Sequence, residues 1–173
     1  MPYKGNGWGI FNNIKGWEGV GIEIGWGKIY NKNWTSQVCE LAGRRNYIIT
    51  QRWSFDSQYK LVKQIPCNTN NFIGKFLTFK LEFDYAARKK GHPVPSPDTS
   101  SANVLWNNVV VGSLNPNNYY VKHAVFYVQL KAGENILQFD ASGASDNHGL
   151  NIDNVRLTSK YNNFYNLIKN GKF

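Results

Sequence analysis

FDASGASDNHGLNIDNVRL, residues 139–157, reads as the end of one strand, a tight loop of small and polar residues, and a closing strand over Leu150–Leu157. Gly143 and Gly149 can take positive-φ backbone angles that other residues avoid. Asp140, Asp146 and Asp153 place carboxylates around this turn-rich segment, with Asn147 and His148 at its tip. Such carboxylates either hold the loop through side-chain to backbone hydrogen bonds or ligate a hard cation, for which a structural Ca2+ is the candidate. Their spacing matches no defined calcium loop, and Asp153 can simply cap the turn before the closing strand. The stretch describes a strand–loop–strand corner of a β fold.

Working outward, the same pattern recurs. In Phe76–Tyr85, Leu77, Phe79, Leu81, Phe83 and Tyr85 alternate with Thr78, Lys80, Glu82 and Asp84, which predicts a strand with the first set on the core face. Val20–Tyr30 alternates through Val20, Ile22, Ile24 and Trp26 and predicts another. Further strands are expected at Gln37–Leu41, Tyr47–Gln51, Asn103–Val111 (with a turn at Asn107-Asn108), Lys122–Leu130 and Asn135–Phe139. A short strand lies in the glycine-rich entry, residues 5–19, and a second loop-rich region runs from Pro66 through Asn71. Arg88–Ala102, with three prolines, must be a long surface loop of the kind that often binds. About nine strands without a helix make an all-β protein, and the long loops favour a two-sheet jelly-roll β-sandwich.

The chain has 173 residues, enough for one domain with a sizeable core. Aromatic residues make up 15%, too many for a disordered chain. No window offers the roughly eighteen consecutive apolar residues of a membrane-spanning helix. The net charge of +9 is dispersed, tight only at Arg44-Arg45 and Arg88-Lys89-Lys90, and favours anionic partners. No DNA- or RNA-binding motif accompanies it, so nucleic acid is not read as the partner. Cys39 and Cys67 belong to no Cys-x-x-Cys pair, which speaks against zinc and thioredoxin-like chemistry; one disulfide and two free thiols both remain open. The sequon Asn33-Trp34-Thr35 is no more than chance provides in so Asn-rich a chain. Met1–Trp8 lacks the apolar core of a signal peptide, so the chain is read as cytosolic or as the mature part of a longer one.

Several segments, taken together and in order, resemble a family of extracellular jelly-roll domains related to galactose-binding-like and carbohydrate-binding modules. They are Gly16-Trp17-Glu18, Val38-Cys39-Glu40-Leu41, Ile49-Thr50-Gln51, Leu81 to Arg88, Val104 to Asn108, and the closing Ile152-Asp153-Asn154-Val155. The resemblance covers roughly residues 5–158 and extends in part to plant cell-wall proteins with paired domains of this type. It implies a two-sheet sandwich, export, frequent tandem repetition and a sugar-binding role. Cys39 departs from it, standing where an aliphatic residue is usual. Asn166 to Phe173 resembles the opening segment of the same domains, of which Gly5-Asn6-Gly7-Trp8 is a degenerate copy. The expected organisation is a sandwich over residues 1–160 and a tail, 161–173, that is either a linker into a further repeat of a tandem array or an assembly strand whose Asn166, Leu167, Ile168 and Phe173 add to a neighbouring subunit.

No nucleophile elbow, zinc-protease helix, phosphate loop or dinucleotide fingerprint occurs, and the acidic residues sit in ordinary contexts, so no enzyme is predicted. Sugar binding needs flat aromatic faces for pyranose rings and planar polar groups for hydroxyls. Trp34, Tyr85, Arg88, Trp106, Asn147 and His148 are the candidates. Each tryptophan could equally be core, and Tyr85 with Arg88 could be a structural pair. The expected function is a non-catalytic, extracellular or cell-surface module that binds glycans, anionic ones among them. The alternative is a structural subunit of a filament or large assembly.

Overall fold

A computed structural model of the chain describes residues 7–42, 48–55, 61–63, 77–88, 100–144, 148–159, 166–168 and 171–173. Among these residues run β1 (Trp8–Ile14), β2 (Trp17–Trp26), α1 (Gly27–Tyr30), β3 (Gln37–Ala42), β4 (Ile48–Phe55), β5 (Leu61–Lys63) and β6 (Leu77–Ala87). They are followed by β7 (Ala102–Trp106), β8 (Val109–Leu114), β9 (Lys122–Leu130), β10 (Gly133–Ala141) and β11 (Gly149–Ser159). Every pairing is antiparallel.

Hydrogen bonding follows the order β8-β7-β10-β4-β2-β3-β11-β6-β9, with β1 on β2 and β5 on β4. β2 is the strand on which this path folds over: Glu18–Val20 pair with β4, whereas Glu23–Trp26 pair with β3. Two antiparallel sheets result, β8-β7-β10-β4 and β3-β11-β6-β9, with the β1–β2 hairpin shared between them. They face each other as a jelly-roll sandwich. Phe83 of β6 meets Phe139 of β10 edge-on at 5.0 Å, and Trp17 lies 6.2 Å from the same ring.

Alternation explains the layering. Phe79, Leu81 and Phe83 point inward from β6 and Leu137, Phe139 and Ala141 from β10, all buried, while Thr78, Lys80, Glu82 and Asp84 stay partly exposed. Each large apolar side chain so enclosed contributes about 1.5–3 kcal/mol. The sheets also meet along one side: a Cβ on Gly112 of β8 would collide with the Phe126 ring of β9, and Trp106 Nε1 of β7 donates to the Gln129 carbonyl of β9 at 2.8 Å. The expected turn is present, with Asn107 at φ 52° and Asn108 at φ 66° linking paired Trp106 and Val109. Two positive φ values are those of a type I′ turn, whose twist suits a hairpin.

Two expectations change, and one alternative left open by the sequence is decided. The strand read over Val20–Tyr30 stops at Trp26, and Gly27–Tyr30 makes one helical turn. Gly27 backs so closely onto Trp34 and Ser36 that a side chain there would clash, so the chain must reverse. Cys39 is a free thiol enclosed between Ile24 and Ile152 of the neighbouring strands, and burial pushes it up from its ordinary pKa; Cys67 lies outside the described residues.

The second change is in the tail, which does not stand apart as an assembly strand. β3 follows β11 only as far as Cys39 opposite Ile152, and beyond that point the tail occupies the vacated edge. Leu167 N–H donates to the Leu157 carbonyl at 2.9 Å and Val155 N–H to the Gly171 carbonyl at 2.8 Å. Leu167, Ile168 and Phe173 belong to the main core, with Phe173 5.6 Å from Trp17. An exposed Leu-Ile strand invites aggregation, and the chain covers it against its own sheet. Among the described residues no helix is long and apolar enough to cross a membrane.

Candidate ligand-binding end of the sandwich

Strand register gathers the long connections. In one sheet Ala42 pairs with Gly149, Leu150 with Ala87 and Tyr85 with Lys122. In the other, Ala102 pairs with both Ala141 and Leu114, and Ile48 with Asp140. The connections β3–β4, β6–β7, β8–β9 and β10–β11, which pass between sheets, therefore leave one end of the sandwich. At that end the described residues include Arg88, Ser100, the stretch Asn115–Val121, and His148.

Arg88 is the most firmly held of them. Its Nη1 donates to both Glu40 carboxylate oxygens, at 2.9 and 2.8 Å, and its guanidinium lies 5.1 Å from the Tyr30 ring centre. The carboxylate also accepts the Gly149 N–H at 2.9 Å. Glu23 and Glu40 are cross-strand partners on β2 and β3, both buried on the outer face of their sheet. The Tyr30 hydroxyl donates to Glu23 at 3.0 Å. Burial pushes Glu40 up to about 8; Arg88 pulls the other way, and the Glu23 carboxylate adds to the push. Burial, followed by the two carboxylates, also drives the Tyr30 phenol up. Beside Glu40, buried Asn151 has neither its amide nitrogen nor its oxygen in a hydrogen bond among the described residues.

Residues 27–36 lie over this charged cluster. Trp34, Tyr30, Val38 and Ala86 form a small apolar cluster outside the main core. Asn31 Nδ2 donates to the Ala87 carbonyl at 3.1 Å and to the Tyr119 carbonyl at 2.6 Å, while Asn33 Nδ2 reaches Tyr119 at 2.9 Å. Two Asn side chains thus staple the β8–β9 connection to the sheet. On that connection Tyr120 is 72% exposed, its N–H bound to Asn118 Oδ1 at 3.2 Å, and Lys122 Nζ donates to Asn117 at 3.2 Å. The result is an open phenol ring on a backbone held by side-chain amides.

The candidates from the sequence divide. Arg88 and His148 come to this end, Tyr85 lies just beneath it with its ring 6.2 Å from Phe83, and Asn147 is outside the described residues. Trp34 is present but buried. Trp106 is a correction: it sits at the opposite end, buried, with its indole N–H committed to Gln129. The aspartates do not assemble either. Asp140 alternates with inward Phe139 and Ala141 and so faces out from one sheet, Asp153 faces out from the other, and Asp146 is outside the described residues. The Asp153 oxygens accept from Ser36 Oγ at 2.6 Å and from Phe173 N–H at 3.1 Å. Among the described residues no group of three His, Cys, Asp or Glu could hold a metal ion. Tyr120, Asn33, Glu23 and Glu40 were missed; Pro116-Asn-Asn-Tyr-Tyr120, adjoining a strand, was the available signal for the first. Chemically the buried carboxylates are committed to holding Arg88 and Tyr30, and the accessible groups are suited to stacking and hydrogen bonding.

No family model and no curated protein matches the chain. Solved structures similar to it include an exo-β-1,3-galactanase from Phanerochaete chrysosporium, of which this chain spans 23% of the length, and family 35 carbohydrate-binding modules. One from an environmental isolate is 18% identical, with a TM-score of 0.46, over 92% of this chain and 88% of that one. Another, from Cellvibrio japonicus Abf62, is 16% identical with a TM-score of 0.44, over 88% and 83%. A third, described in complex with a glucuronic-acid-containing disaccharide, is 17% identical with a TM-score of 0.42, over 88% and 83%.

Proposed function

We propose that this chain is a non-catalytic carbohydrate-binding module acting outside the cell, with its sugar platform at the end of the sandwich where the cross-sheet connections converge. The observation that carries this reading is Tyr120, exposed on a connection that Asn31 and Asn33 bind to the sheet through the Tyr119 carbonyl. An exposed aromatic face on a held backbone offers a pyranose ring an apolar surface to stack on. Asn117, Asn118 and Lys122 supply planar and charged partners for hydroxyl or carboxylate groups. The net charge of +9 favours acidic sugars. Export is supported by the sequence resemblance to extracellular jelly-roll modules. The test is calorimetric titration of neutral and uronic-acid oligosaccharides into the wild type and Tyr120→Ala. The variant should keep its thermal midpoint and bind about tenfold more weakly, a loss of about 1.4 kcal/mol. Equal affinity of the two proteins for every bound sugar would remove Tyr120 from the platform and the reading with it.

A further inference from the structure

The tail and the bulged stretch of β11 beside it wall an open cleft of about 470 Å³. Arg156 and Lys172 bring two cations to its lining and Asn154 and Asn166 two amides, and among the described residues no carboxylate lines it. We propose that this cleft holds an anionic group of a polysaccharide, a sulfate ester or a carboxylate, at a site separate from the Tyr120 platform. Arg156 lies seven residues along β11 from Gly149, roughly 20 Å of strand away from the end that carries Tyr120. That the ligand is a polysaccharide rests on the carbohydrate-binding reading above, whereas its charge follows from the cleft alone.

Each lining amide has one end committed and the other left over. Asn166 Oδ1 accepts from Leu157 N–H at 2.8 Å and from Ile168 N–H at 3.1 Å, which leaves Nδ2 as a donor. Asn154 sits at the bulge with φ 55°, and its Nδ2 donates to Asp84 Oδ2 at 2.8 Å, which leaves Oδ1 as an acceptor for a hydroxyl. Arg156 is half-exposed. The Glu82 oxygen it faces is 3.7 Å away, too far for a hydrogen bond, and Lys80 holds the other oxygen of that carboxylate. The guanidinium therefore keeps its planar fork of donors for an incoming oxyanion, and Lys172, exposed on the tail, adds a point charge. The outer face of the same sheet continues from the cleft to β9. Val125 is joined to Arg156 through their common partner Glu82, and next to it on that face Tyr127 is 61% exposed. A sugar chain leaving the cleft across the strands meets an aromatic surface there, which a lone anion would not need.

The test is calorimetric titration, at low and at physiological salt, of tetragalacturonate, a sulfated galactotetraose, its unsulfated counterpart and inorganic sulfate into the wild type and Arg156→Gln/Lys172→Gln. Both substituted side chains are exposed, so the double variant should keep its thermal midpoint. It should bind at least one of the two anionic sugars about tenfold more weakly than the wild type does and the neutral sugar equally well. The difference should shrink as salt rises. Whichever anionic sugar shows the loss names the group, and with that sugar the side-chain amide signal of Asn166 should shift in the spectrum of the labelled wild type. Lys172→Glu alone serves should the double variant not fold. Equal affinity of wild type and variant for both anionic sugars, or a wild type that binds neither, overturns the site. Inorganic sulfate bound as tightly as the oligosaccharide overturns the polysaccharide as its occupant. The carbohydrate reading is judged by Tyr120→Ala on the neutral sugar, which the cleft variant leaves alone, so the two failures are told apart.

Discussion

Arg88 is where single-residue chemistry matters most. Its Nη1 stands against the Glu40 carboxylate, which is fully enclosed. Removing one partner of such a pair strands the other, so above pH 8, where Glu40 is ionised, Arg88→Ala should cost about 3–5 kcal/mol in urea unfolding. Arg88→Lys should recover part of that, because one nitrogen makes both contacts to Glu40, while the planar placement over Tyr30 is lost. The same cluster sets a pH dependence. Glu40 is raised to about 8, and Asp153 is raised by burial against hydrogen bonds that lower it. A folded-state pKa above the unfolded one makes the native state hold the proton, so the Glu40 contribution to stability falls as pH rises from about 4.5 through 8, by at most about 1.4 kcal/mol per pH unit, and Asp153 acts in the same direction. Urea midpoints at pH 5, 6.5 and 8 should decline in that order. Glu23→Gln, which removes the like charge beside Glu40, should flatten the decline.

At the level of elements, the β7–β8 turn makes a specific prediction. Asn107 and Asn108 both have positive φ, and Asn107 Oδ1 also accepts the Ile136 N–H at 2.8 Å. Asn108→Ala should cost about 1–2 kcal/mol from left-handed strain alone, whereas Asn108→Gly should be close to neutral in the same melts. Asn107→Gly should destabilise despite its easier backbone, because the bond to β10 is lost. That turn was readable from Asn-Asn between apolar runs, and β6 from its strict alternation. The end of β2 was not, because Ile29 and Tyr30 keep the stretch after Trp26 apolar and the reversal is made where Trp34 and Ser36 pack against Gly27. The sugar platform was only half legible. Polar neighbours made Trp34 and Trp106 look accessible, yet those neighbours face outward while the rings turn under residues 27–36 or between the sheets. Exposure depends on what a distant segment covers, and one sequence does not record that.

For the whole molecule, the decisive facts are long-range. The tail lies against β11, Asp153 ties Phe173 to Ser36, and β2 lends residues to both sheets. The jelly-roll class followed from counting strands and turns, but the destination of the tail did not, since an apolar strand fits its own sheet and a neighbour's equally well. The shared strand has a further effect. Releasing β10 and β4 from the sandwich means stripping one half of β2, and releasing β3 and β11 means stripping the other, while β1 is paired across both. Native-state hydrogen exchange should then give Phe139 in one sheet and Leu157 in the other the same opening free energy, equal to that of global unfolding. Two separable values would show the sheets opening one at a time. A sandwich folded around a common strand has no weaker half, so damage at either face is felt as a loss of cooperative stability by the entire chain.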